Sequence, residues 1–335
     1  MIAAIKQAIL HIVDASHQSP VISEQALDVN DAMINTYITR LMERIYDDPS
    51  HRKGEFLSNS GLKHHINEYK SDSESFLKLS AHIANRLFDS LKNTDEPTPC
   101  DIIVCAAMIN DRDTIVILKL DHKAGLTHSE EKDEDGVFCT LENYYTMLPS
   151  MTQKIGEYAF VTVEDLAIRY RGGSNYKING EKSDLFADFL LECDYEISSR
   201  EAVNTVTREA KRVTIENGGD VMETAARMKE CVTENIETSK TLDTEKIANH
   251  VFDGRPAMLG AFKAKIENGN VPPQIEINPY VKKKVTSDIH IKTDIGVEIS
   301  FPAEYYNNPE YVDIINSGNG TISIIIKNIG EMINK

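Results

Sequence analysis

The 335-residue sequence predicts an α+β protein: an N-terminal mixed domain around an antiparallel sheet, residues 1–197, then a helical C-terminal domain ending in a small β-sheet, residues 198–335. Three observations predict it. Before residue 198, strand-like apolar runs interleave with two long segments at helical spacing. After it, four helical segments follow one another, and alternating strand patterns return only in the tail. A composition of 41% hydrophobic and 27% charged residues describes a globular chain long enough for two cores.

In order, Ile2–Val13 reads as a strand and residues 29–46 as a helix, with Ile34, Tyr37, Ile38, Leu41 and Ile45 on one face. A second helix over residues 73–91 stacks Phe76, Leu79, Ile83, Leu87 and Leu91. Strands follow at 101–110 and 114–121, joined by a polar turn, then at 136–145 and near 157–163. Ser198 and Glu201 have capping-box spacing, so a helix starts there and runs to about Asn217, where Gly218 and Gly219 stop it. Helices at 220–240, 243–251 and 256–267 come next, the last with Pro256 in its first turn. A proline-broken linker, residues 269–280, precedes the triplet Lys282, Lys283 and Lys284. In the tail, Ile295, Val297, Ile299 and Phe301 alternate, and residues 311–316 and 321–327 flank a Ser-Gly-Asn-Gly turn, a hairpin signal.

The formal net charge is -17, so contact with a polyanion has to come from local basic patches against the field of the whole molecule. No apolar run has the length of a membrane span, and the opening residues read as a strand rather than a signal peptide, so no membrane partner is expected. Five scattered cysteines (Cys100, Cys105, Cys139, Cys193 and Cys231) fit buried free thiols in a reducing cytoplasm.

Catalytic and metal motifs fail on spacing. Residues 131–142 place acids and Gly136 as a calcium loop does, but Glu131 stands where Asp belongs and flanking helices are absent, so a solvated acidic turn is expected. Residues 172–183 hold the letters of a phosphate loop without its Gly-Lys step. His64 and His65, with His51 and His82, lack a cysteine partner and read as surface or packing histidines. The acids around Lys119 invite a nuclease, yet the acid-x-Lys pairing is missing, and no serine elbow or Cys/His signature appears. The expectation is therefore no enzyme, no catalytic residue, no cofactor and no metal.

Basic features remain. On the helix after Ser198, Val203, Val206, Ala210 and Val213 form the apolar stripe while Arg200, Arg208, Lys211 and Arg212 lie on the opposite side. An ordinary solvated face is the competing explanation. Arg169, Arg171 and Lys177 sit beside Tyr170 and Tyr176 on a glycine-containing hairpin suited to phosphate contact. The Lys282–Lys283–Lys284 triplet is a third patch.

The whole chain resembles the bacterial 37-kDa nucleoid-associated protein family of the NdpA type. The resemblance is carried by the opening IKQAILHI (residues 5–12), an early strand at 20–23 before an acidic loop, the central L-x-x-RYRGG…SDLFADFLL segment beginning at Leu166, and the T-x-E-A pattern at Thr207–Ala210. The middle acidic loop and the tail match little beyond strand pattern. The resemblance implies a cytoplasmic protein of the bacterial nucleoid that binds double-stranded DNA, with no catalytic residues. Two alternatives stand beside direct binding: an acidic adaptor recruited to DNA-processing proteins such as topoisomerase subunits, and, more distantly, a divergent metal-dependent nuclease. The apolar helices of the second domain favour a homodimer.

Overall fold

The computed structural model describes all residues except 1, 134–135, 174–175, 287–288, 303–304, 306–307, 317–320 and 332–335, and omits the side chains of 2–3, 133, 233–238, 279, 284–286, 289–290 and 316. Two compact units make up the chain, Met1–Glu196 and Ile197–Lys335. All described sheets are antiparallel, and the architecture is mixed α+β.

Unit 1 is built on seven strands: β1 (Ile2–Val13), β2 (Arg52–Phe56), β3 (Cys100–Ile109), β4 (Arg112–Asp121), β7 (Glu157–Thr162), β8 (Ile168–Arg171) and β11 (Cys193–Glu196). They lie in the order β1-β3-β4-β7-β8-β2-β11. Helix α1 (Ala32–Tyr46) covers one face, packing Ile38, Leu41, Met42 and Ile45 on Ile103, Cys105, Val116, Leu118 and Phe160. Helices α2 (Gly61–Ser71) and α3 (Phe76–Lys92) cover the other with Leu62, Ile66, Leu79, Ile83 and Leu87, against Ile102, Val104, Ile117 and Tyr170. Strand β3 is thus buried on both faces, which is why its sequence is a continuous apolar run. Each buried leucine or isoleucine contributes about 1.5–3 kcal/mol.

The segment FADFLL forms a π-helical turn, Phe186–Leu191, ended by Glu192 in the left-handed conformation. Phe186, Leu190 and Leu191 drive into the same core as α3. Between β4 and β7 the chain makes a long hairpin, β5 (Lys123–Asp133) and β6 (Gly136–Met147), which forms a separate two-stranded sheet. A short hairpin, β9 (Tyr176–Ile178) and β10 (Glu181–Ser183), follows β8.

Unit 2 begins with α4 (Ser199–Glu216), whose capping box is formed in full: the Ser198 hydroxyl accepts from the Glu201 N–H and the Glu201 carboxylate accepts from the Ser198 N–H. Then come α5 (Val221–Thr238), β12 (Thr241–Asp243), α6 (Thr244–Val251), α7 (Pro256–Asn268), β13 (Gln274–Glu276) and α8 (Pro279–Thr286). One core joins them through Val206, Val213, Val232, Ile247, Phe252, Phe262, Ile275 and Val281. Two hairpins close the unit, β14 (Ile289–Lys292) with β15 (Glu298–Phe301) and β16 (Val312–Asn316) with β17 (Ile322–Ile326). The Ser-Gly-Asn-Gly turn expected between the last two lies outside the described residues.

Several expectations need correction. The first helix starts at Ala32, not residue 29, because the Asp31 side chain accepts from the Met33 and Ile34 N–H groups and caps it there. Residues 20–23 form no strand, only a single bridge between Ile12 and Val21. The acidic segment is largely strand rather than turn: β5 runs to Asp133, and Glu130 and Glu131 are held by ladder pairing with Cys139 and Phe138. Glu134 and Asp135 lie outside the described residues. Neither β2 nor α2 was expected, since both are short and polar and are placed by pairing and packing. The expected linker 269–280 holds strand β13 and the start of helix α8, and the lysine triplet that follows it lies on α8.

Candidate nucleic-acid interface

The tyrosine-rich basic segment of unit 1 is bound up in the fold itself. Arg169 stacks on Tyr46, its guanidinium carbon 4.4 Å from the ring centroid, with Phe160 at 5.6 Å. Arg171 donates to Asp48 at 3.2 Å, and the same carboxylate accepts from Lys154 at 2.8 Å, the Tyr158 hydroxyl at 2.9 Å and the Ser50 N–H at 3.0 Å. Burial alone would raise the Asp48 pKa, but Lys154 and these donors overcome it and hold the carboxyl well below the usual range.

The two glycines that follow are required by close approach. A Cβ on Gly172 would stand 2.0 Å from an oxygen of Asp184, which itself accepts from Arg52 at 2.6 Å. A Cβ on Gly173 would meet Glu157 at 2.8 Å, and the Gly173 N–H donates to that carboxylate at 3.1 Å. Only Lys177 of this group is exposed, in β9 opposite Lys182 of β10.

The acids and lysine that invite a nuclease do converge. Lys119, 1% exposed, pairs with Glu157 at 2.8 Å and with Asp121. Burial would depress the Lys119 pKa, but the groups around it, Glu157 foremost with Cys100, Tyr176 and Asp121, together outweigh it and push the value up. Glu157 is already saturated, since its oxygens also accept from the Tyr176 hydroxyl at 2.6 Å and the Gly173 N–H. This arrangement holds β4, β7 and β9 together. Among the described residues, no group of three or more His, Cys, Asp or Glu is arranged to hold a metal ion.

Unit 2 presents its cations differently. On α4, Arg208 donates to Glu209 at 2.9 Å, Arg212 to Glu216 at 2.9 Å, and Lys265 of α7 reaches Glu216 at 2.8 Å. Lys211 is exposed and forms no ion pair with a described residue. Three cations therefore share two carboxylates and Lys211 adds a fourth charge beside them, leaving a local positive excess. At the start of α4, Arg200 lies over Tyr280 of α8, 4.0 Å from the ring centroid, and the Tyr280 hydroxyl donates to Asn204 at 3.3 Å. This packing brings α8, with exposed Lys282 and Lys283, beside the start of α4 from 80 residues away in sequence. The Lys284 side chain lies outside the described residues.

Charge is also divided unequally. Unit 1 has 19 Lys and Arg against 33 Asp and Glu, a formal -14, and unit 2 has 17 against 20, a formal -3. Lys265 and Tyr280 went unnoticed in the sequence because their part depends on which helices pack together. No local signal marks either.

The scaffold that carries this basic helix face is of the mixed α+β class. More narrowly, residues 9–334 match the family NA37, described as nucleoid-associated protein YejK, and the chain belongs to that nucleoid-associated family. No curated protein matches the chain. Among the described residues, no helix is long and apolar enough to cross a membrane.

Proposed function

We propose that the chain is a non-enzymatic nucleoid protein that binds double-stranded DNA directly, through the α4–α8 face of unit 2. The row of Arg200, Arg208, Lys211 and Arg212 on α4, with Lys282 and Lys283 on the helix that packs against its start, supports this most, because phosphate binding needs several accessible cations on one surface. In unit 1, Arg169 and Arg171 hold the fold, and Lys177 is at most an auxiliary phosphate contact. Replacing Arg208, Lys211 and Arg212 together with alanine tests the proposal by fluorescence anisotropy with unrelated duplexes over a salt series. Affinity should fall by similar factors for all duplexes, and the log–log salt slope should flatten by up to about 2.7, roughly 0.9 per phosphate contact. An unchanged slope with helicity intact by circular dichroism rejects this face.

An adaptor role is favoured by one observation, the -14 of unit 1, which suits a basic protein partner such as a topoisomerase subunit. If that role is primary, the purified chain has negligible DNA affinity at physiological salt and binds the purified partner in the absence of nucleic acid.

A further inference from the structure

The β5–β6 hairpin is paired from Lys123 opposite Met147 to Asp133 opposite Gly136, and among the described residues neither strand pairs with any third strand. A lone two-stranded hairpin is marginal in water, and an open edge invites pairing unless charges blunt it. The edge of β5 is blunted: Glu130, Glu131, Lys132 and Asp133 follow one another along it. The β6 edge is not, since Glu142 is the one charged residue of its twelve. Side chains suited to burial are exposed on β6, with Leu141 at 68% and Tyr145 at 70%, joined by Val137, Phe138 and Tyr144.

We propose that the β6 edge pairs antiparallel with the same edge of a second copy of this chain, making a continuous four-stranded sheet about a two-fold axis at Leu141. The β6 sequence is self-complementary in that register. Val137 falls opposite Tyr145 of the second copy, Phe138 opposite Tyr144, Cys139 opposite Asn143, Thr140 opposite Glu142, and Leu141 opposite itself. Each pair lies on one face of the sheet, and no like charges meet. Centring the axis on Glu142 instead would set two carboxylates against each other, so charge as well as apolar pairing selects Leu141. A heterologous strand is the competing occupant, but nothing in β6 carries the charge that would choose one, whereas its own sequence fits itself. The inference stands independently of the DNA interface.

Sedimentation velocity of the full chain over a concentration series reads the assembly. The wild type should form dimers, and Leu141→Lys, which places two ammonium groups at the two-fold axis, should shift it wholly to monomer. Because Leu141 is exposed, that variant should keep its circular dichroism and its DNA affinity per chain. A second measurement fixes the register: in a Cys139→Ser background, Leu141→Cys should be joined across the dimer by a short bifunctional thiol reagent, and Leu126→Cys on β5 should not. A wild type that is monomeric throughout overturns the proposal. So does a dimer that survives Leu141→Lys, or equal crosslinking at the two positions.

Discussion

Two sets of arginines, one in each unit, do opposite things with the same guanidinium. In unit 1, Arg52 and Arg171 are drawn onto the buried carboxylates Asp184 and Asp48, and Arg169 is laid across Tyr46. In unit 2, Arg208 and Arg212 are about two-thirds exposed and shared among carboxylates that they and Lys265 outnumber. A basic sequence motif next to aromatics holds the fold when acids are buried beside it. Where its cations outnumber their partners at the surface, as on α4, it is a candidate binding surface.

The largest test of this contrast is Lys119→Met. It leaves Glu157, 8% exposed, without its ammonium, and breaking such a buried pair costs about 3–5 kcal/mol. Urea unfolding measures it; a loss under about 1 kcal/mol would mean that the unit 1 network does not hold the sheet.

Next in size is a comparison on DNA. Lys282→Ala with Lys283→Ala should weaken binding several-fold and lower the salt slope by up to about 1.8. Arg169→Ala with Arg171→Ala should lower the melting temperature and leave that slope alone. If the unit 1 pair changes the slope and the unit 2 pair does not, the assignment of the two units is reversed.

Acid sharpens the comparison more gradually. His11, His51 and His82 all belong to unit 1, and burial lowers each from the usual 6.5 to about 4, aided at His51 by Arg169 and at His82 by His65. The unfolded chain binds protons that the folded unit refuses between those values, so the contribution of these histidines is complete above pH 6.5 and is lost as pH falls towards 4. In unit 2 the resolved shifts are lowered carboxylates, Glu216 through Lys265, Glu223 through Arg255 and Asp243 through the Lys246 N–H, whose stabilisation is lost only below 4.5. Limited proteolysis along a descending pH series should cut unit 1 first. Cleavage of unit 2 before unit 1 contradicts the assignment.

The smallest expected effect is Arg200→Ala, where loss of an accessible cation–π contact to Tyr280 costs about 0.5–1 kcal/mol. Its urea midpoint should barely move. A loss comparable to that of Lys119→Met would place Arg200 with the fold-holding arginines of unit 1.

Much of the fold was legible because its signals are local. The capping box at Ser198 and Glu201 and the apolar period of Val203, Val206, Ala210 and Val213 fix α4 without outside help. Likewise, Asn110 and Asp111, both at positive φ, turn β3 into β4 as the polar sequence there requires. Strand β5 was missed because Thr127, His128, Ser129, Glu130 and Glu131 have no apolar alternation, and only pairing with β6 extends them. The candidate interface was half legible. Helical period placed the cations of α4 on one face, but nothing in the sequence showed that α8 would dock beside Arg200.

Local and compositional signals set the α+β class, the start of α4 at its capping box, the family and the strongly acidic total, because capping, periodicity and composition act over a few residues or over none. Only the tertiary structure decided which cations are spent. Arg171 meets Asp48 from 123 residues away and Arg52 meets Asp184 from 132, whereas Lys211 is left exposed. Whether a charge is neutralised depends on which strands and helices pack beside it, and that is a property of the assembled core.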